Sequence, residues 1–136
     1  AEGVTQVAFG DLFLEDIRAY RERMMANTGI QPIFPIWRTR DDTKALAQEM
    51  LQSNLHTVLT TVDLKQLDPA FAGQMYDEPL LNNLPASVDP CGENGEFHTF
   101  CFDAPIFAHP IPIQVGETIT RDGFAYTDLL PVEKGN

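Results

Sequence analysis

Basic residues are scarce in this chain. Nine Lys and Arg stand against twenty Asp and Glu, a formal net charge of −11 with an isoelectric point near 4.4. Phosphate backbones and anionic membrane surfaces are held by clustered cations, so this balance excludes a nucleic-acid or lipid-surface partner. Cysteine is nearly absent: Cys91 and Cys101 have no C-x-x-C spacing and no His pair nearby, which leaves neither a zinc site nor a disulfide framework and points to reduced thiols in a cytoplasm. His56, His98 and His109 are too dispersed for a metal site, and no Ser-His-Asp or Gly-x-Ser-x-Gly pattern offers serine catalysis. No apolar run approaches the roughly 20 residues that span a bilayer, and no charged start with an apolar core marks a signal peptide. Internal repeats and Gly/Ser linkers are missing too.

What is present is enough apolar content, 43% of 136 residues, for one domain with a real core. Ala1-Glu2-Gly3 reads as the tail of a helix with a glycine stop, so that the chain is expected to begin in mid-domain. Val4 to Phe9 reads as a buried strand opening into Gly10-Asp11. From Leu14 to Asn27, Leu14, Ile17, Tyr20, Met24 and Met25 recur at helical spacing among Arg and Glu, with Gly29 as the stop. Ile30 to Ile36 reads as a strand shortened or bent by Pro32 and Pro35 and ended by Trp37. Asp41 or Asp42 caps a second helix, and Leu55 to Val62 is a third apolar strand.

This alternation is that of a parallel sheet covered by helices. The fold class is therefore α/β over residues 1–63, a partial doubly wound parallel sheet. After Asp63 the pattern changes. Short helices are expected from Pro69 and over Glu78 to Leu84. Strands follow at Glu96 to Asp103, Ile111 to Val115, Glu117 to Arg121 and Gly123 to Leu129, largely antiparallel, with Asp122-Gly123 as a hairpin turn. Residues 64–136 thus form a mixed or antiparallel β-rich portion, either of the same single domain or of a larger one.

Chemistry concentrates in Asp89-Pro90-Cys91-Gly92-Glu93-Asn94-Gly95-Glu96-Phe97-His98-Thr99-Phe100. Two glycines permit close backbone approach, and the carboxylates and amide supply acceptors and donors at a strand's mouth. The same residues also read as a sharp turn entering a strand. Glu96 and His98, two apart, are expected on one strand face, where an acid and an imidazole would converge on one pocket; a His bonded to its own loop is the alternative. Cys91, beside Pro90 and Gly92, reads as packing or turn chemistry rather than a nucleophile. Ligands of open α/β sheets lie beyond the carboxyl ends of the strands, which puts Gly10, Asp11 and Trp37 on one rim. Asp11 reads equally as a helix N-cap, Trp37 as a core residue, and Arg18 with Glu22 as a surface ion pair.

Gly10-Asp11-Leu12 with Arg18 and Glu22, the Gly29 to Trp37 stretch, Gln48-Glu49-Met50, the Cys91 to Phe100 run and Asp103-Ala104-Pro105-Ile106-Phe107 together resemble the diphthine–ammonia ligase family, of the N-type ATP pyrophosphatase, adenine-nucleotide α-hydrolase-like class. The family's usual Gly-Glu-Gly-Gly-Glu becomes Gly92-Glu93-Asn94-Gly95-Glu96 here, so Asn94 is a departure. The family's Ser-Gly-Gly-x-Asp-Ser pyrophosphate loop is not among these residues, so the resemblance is to the carboxyl-terminal, substrate-side part. What it implies is an ATP-dependent, Mg-dependent amide ligase in which a carboxylate is adenylated and an amine or ammonia displaces AMP. The substrate-side residues it implies are Gly10, Asp11, Arg18, Glu22, Trp37, Glu93, Asn94, Gly95, Glu96, His98 and Thr99, with Asp11 facing Glu93 and Glu96 across one cleft. The alternative is a non-catalytic ligand-binding or interaction module. A truncated sheet would leave an edge and an apolar face uncovered, and a homodimer is the expected assembly.

Overall fold

A computed structural model describes residues 3–132. The reading of Ala1-Glu2 as a helix tail lies outside them. The chain divides into two compact units, Ala1–Thr43 and Lys44–Asn136.

In the first unit β1 (Gln6–Ala8) and β2 (Gln31–Ile33) pair in parallel, joined through α1 (Glu15–Met25). α1 forms where the helical spacing predicts it, with Glu15 and Asp16 in its first turn and Arg23 in its last, each opposing the helix dipole's end charge. Its N-cap is Leu14, whose side chain makes no capping bond. The Asp11 cap expectation is therefore corrected: Asp11 lies three residues upstream of the cap position, and its carboxylate accepts instead from Arg21 Nε at 3.3 Å.

The expected third parallel strand does not join this sheet. The β1 ladder uses Gln31 N–H to Thr5 O and Phe9 N–H to Ile33 O, both 2.9 Å, so the backbone of the residue between them points to the other edge of β2. That residue is Pro32, which has no N–H to offer a further strand. An apolar run alone does not distinguish parallel from antiparallel pairing.

In the second unit, β3 (His56–Asp63) is instead interior to an antiparallel sheet of order β4-β3-β6-β5, with β4 (Phe97–Asp103), β5 (Ile113–Arg121) and β6 (Phe124–Pro131). Along its first half, β3 is flanked by the segment after a 3-10 turn at Pro69–Phe71: Gly73 N donates to Leu59 O, Leu59 N to Gln74 O and Tyr76 N to Thr57 O. α2 (Thr43–Gln52) begins at Thr43, directly after a 3-10 turn at Arg40–Asp42, so that Asp42 is the residue preceding its first turn. α3 (Glu78–Asn83) starts at Asp77, whose carboxylate accepts from Leu80 N at 2.9 Å. The core gathers Ala47, Leu59, Val62, Leu67, Leu80, Val88, Phe97 and Ala125 around Tyr76.

Asp122 and Gly123 both have positive φ and make the tight β5–β6 turn, as their sequence predicts. The two short strands expected on either side of Gly116 are one bulged strand. Val115 pairs Leu129 and Thr118 pairs Thr127, so Gly116 and Glu117 together oppose Asp128. A Cβ on Gly116 would lie 3.3 Å from Asp128 Cβ, which is why the bulge carries a glycine.

Candidate functional site

The acid-and-glycine run forms a turn closed on its own carboxylates. Asp89 Oδ2 accepts from the backbone N–H groups of Cys91 and Glu93, each at 3.1 Å. Glu96 accepts from Asp89 N and Asn94 N and from Asn94 Nδ2, each at 2.9 Å. Glu96 is 1% exposed. A buried carboxylate is tolerable only with donors around it, and here the turn's own amides supply them. Gly92 and Gly95 hold left-handed φ of 69° and 79°. At Gly92 a Cβ would also stand 3.0 Å from the Phe97 ring and from the Phe97 carbonyl oxygen, so both conformation and space require glycine there. Asn94, the departure from the family's glycine, keeps ordinary φ and contributes its side-chain amide to Glu96.

Beside the turn is a cavity of about 150 Å³. Met50, Leu55, Tyr76 and Phe97 make its apolar wall, and Thr57, Thr99 and Cys91 its polar points. Tyr76 ties wall to turn, its hydroxyl donating to Pro90 O at 2.6 Å, and its ring sits 6.2 Å from that of Phe97. Burial, with the neighbouring charges of Cys91 and Asp89, pushes the Tyr76 hydroxyl above its usual range. Burial pushes the Cys91 thiol up to about 12, the Asp89 and Glu93 carboxylates adding to it. A thiol so held is protonated at neutral pH and is a poor nucleophile, as its sequence context suggests.

Of the sequence-predicted residues, Glu93, Asn94, Gly95 and Glu96 come together in this turn, and Thr99 reaches the cavity. His98 does not: strand alternation separates it from Phe97 and Thr99, and it is exposed. The expected convergence of Glu96 and His98 is therefore corrected. Glu96 precedes the strand and is folded back into the turn, while His98 lies on β4's other face, opposite Thr61.

Gly10, Asp11, Arg18, Glu22 and Trp37 belong to the other unit. There Arg18 pairs with Glu22 at 3.0 Å, as a solvent-accessible ion pair, and its guanidinium lies 4.7 Å from the Phe34 ring centre and 4.8 Å from that of Trp37. Trp37 packs edge-on against Phe34, and Arg21 lies 4.8 Å over Phe9 while it binds Asp11. These cations stack on the aromatic rings at the carboxyl rim of the short parallel sheet.

Sequence reasoning missed Tyr76, Thr57, Met50 and Leu55, which converge only through the sheet. It also gave Asp89 no role of its own, although an acid before Pro90 and two residues ahead of Cys91 carries the signal of a side chain capping its own turn. Among the described residues no group of three or more His, Cys, Asp or Glu is placed to hold a metal ion, and no helix is long and apolar enough to cross a membrane.

Residues 42–133 match the family model for the diphthamide synthase C-terminal domain, a span that contains the turn and the whole cavity lining. The chain is 30% identical over 133 residues to diphthine–ammonia ligase of Bos taurus, covering 94% of this chain and 49% of the relative. It is 33% identical over 138 residues to that of Danio rerio, covering 96% and 53%. The chain thus spans about half the length of these curated relatives. With its turn, cavity and antiparallel sheet all inside the matched span, the chain belongs to the diphthamide synthase C-terminal domain family.

Proposed function

We propose that this chain is the substrate-side portion of an ATP-dependent amide ligase, holding a carboxylate acceptor that is activated as its adenylate before an amine or ammonia attacks. The relatives are named diphthine–ammonia ligases, and a diphthine-type carboxylate is the acceptor class inferred here. The observation that carries the reading is the apolar cavity walled by Tyr76 and Phe97 directly beside the carboxylate-tied turn, all inside the family match. Such a pocket takes the apolar body of a substrate and leaves its polar end at the Thr57 and Thr99 hydroxyls.

ATP with Mg is implied by the family, but the turn does not fit a triphosphate. A phosphate cradle needs unspent backbone N–H groups, and those of Cys91, Glu93 and Asn94 are given to Asp89 and Glu96. No catalytic step is therefore assigned to a nucleotide on this turn. Substrate is oriented here, and the activating group is supplied from outside the turn.

Calorimetric titration of the purified chain tests the reading. A diphthine-bearing peptide is expected to bind, and Thr99→Leu, which fills the cavity mouth and leaves the turn intact, is expected to weaken binding at least about tenfold. ATP with Mg should give neither heat nor pyrophosphate release. Equal peptide affinity for both proteins, or pyrophosphate release from the chain by itself, would overturn it. Binding of apolar carboxylates in preference to the diphthine-bearing peptide would support the module reading over the ligase one.

A further inference from the structure

β5 is the terminal strand of its sheet, and among the described residues no strand pairs with its second edge. It is also unusually bare for an edge: of its nine residues only Ile113 and Gly116 are not classed as exposed, and Ile119 is 50% exposed. An open, apolar-bearing edge is a template for another strand. Natural edges are guarded by charges or bulges, and both devices are here, but their placement is informative. The bulge at Gly116 and Glu117 interrupts the strand, pairing resumes over Thr118 to Arg121, and the charges on this second stretch are Glu117 at its start and Arg121 at its end.

We propose that β5 pairs antiparallel with β5 of a second copy of this chain, centred on Ile119, which joins two four-stranded sheets into one of eight. A two-fold axis at Ile119 fixes the register: Ile119 faces Ile119, Thr118 faces Thr120, and Glu117 faces Arg121 twice. This centre sets each charge opposite one of the other sign. A centre at Glu117 stacks like charges, and a centre at Thr118 sets Glu117 against Ile119 and Arg121 against Val115.

Arg121 is available for the pair. Its contact with Asp122 is long, 3.6 Å, with both side chains largely in solvent, and its guanidinium lies 5.5 Å over Tyr126. Tyr126 is opposite Ile119 on the same sheet face, so the paired isoleucines would be flanked by two Tyr126 rings and two Arg–Glu pairs. The association expected at the edge and apolar face of a truncated parallel sheet is thus assigned to an edge in the other unit. This inference does not depend on the substrate reading.

Two experiments on the whole chain test it. Sedimentation equilibrium across a concentration series should give a monomer–dimer equilibrium. Glu117→Arg and Arg121→Glu, both surface changes, should each weaken it about tenfold or more, and the double reversal should return it to within about threefold of the original. Ile119→Cys should form a covalent dimer on mild oxidation, because directly opposed antiparallel residues have Cα atoms about 4.5–5.5 Å apart, within disulfide range. Thr120→Cys, which faces Thr118, should not, and the unaltered chain, with its Cys91 and Cys101, is the background control. A monomer at every concentration, a dimer indifferent to either reversal, a double reversal that stays weak, or equal cross-linking at 119 and 120 would overturn the proposal.

Discussion

Replacing Glu96 by alanine removes the acceptor on which the turn closes. Three bonds go at once, from Asp89 N, Asn94 N and Asn94 Nδ2. Asp89 is 7% exposed, so its N–H is left unmade in the interior at about 1–3 kcal/mol. Asn94 is exposed, and water recovers most of what its two donors lose, leaving roughly 0.5–1 kcal/mol each. The expected loss is about 2–5 kcal/mol, a large part of a typical 5–15 kcal/mol domain stability. Glu96→Gln keeps one acceptor oxygen but turns an NH2 toward a donor, and should cost about 1–3 kcal/mol. Urea unfolding followed by far-UV circular dichroism reads the totals. Amide exchange reads the mechanism directly: protection should fall first at Asp89 and Asn94, before the β3–β4 ladder opens. A Glu96→Ala protein within about 0.5 kcal/mol of the original, the range of an ordinary surface change, would refute the role assigned to this carboxylate.

The two glycines of the turn separate conformation from space. Gly95→Ala meets open surroundings and should cost only the left-handed penalty, about 1–2 kcal/mol, whereas Gly92→Ala adds a 3.0 Å approach to Phe97 and should exceed it by about 1 kcal/mol or more in the same urea assay. Iodoacetamide at pH 8 should label Cys101 well before Cys91, whose thiol is held near 12, and the difference should vanish in urea; equal rates in the folded protein would contradict the raised, half-buried thiol assigned to Cys91. Alkaline pH should destabilise the fold. Cys91 is raised above its ordinary value of 9.0, so the folded state holds a proton that the unfolded chain gives up from about pH 9; its contribution is complete below that and is lost as pH rises toward about 12, with Tyr76 acting in the same direction. Tyr76→Phe should cost about 1 kcal/mol through the bond to Pro90 and leave the Cys91 labelling order unchanged.

Features that depend on near neighbours in the chain were legible in the residues alone. The periodicity of Ile17, Tyr20 and Met24 is enough to make α1, Asp122-Gly123 is enough to make the hairpin turn, and the Gly-Glu-Asn-Gly-Glu run identifies both the family and the turn, because capping, positive φ and helical spacing act over a few residues. Pairing is different. The apolar run of β3 fits a parallel or an antiparallel neighbour equally well. Pro32 withholds a donor from the far edge of β2, while β4 pairs with β3 along most of its length and β6 over Thr61–Asp63, both from more than 30 residues away in sequence. The direction of the two carboxylates was also a tertiary matter. Asp89 and Glu96 have the composition of an open ligand site, and only burial beneath the turn commits them inward to its amides. That same burial gathers Met50, Leu55, Tyr76 and Phe97, distant along the chain, into one cavity wall, since apolar surface is removed from water wherever the sheet brings it together, whatever its spacing in sequence.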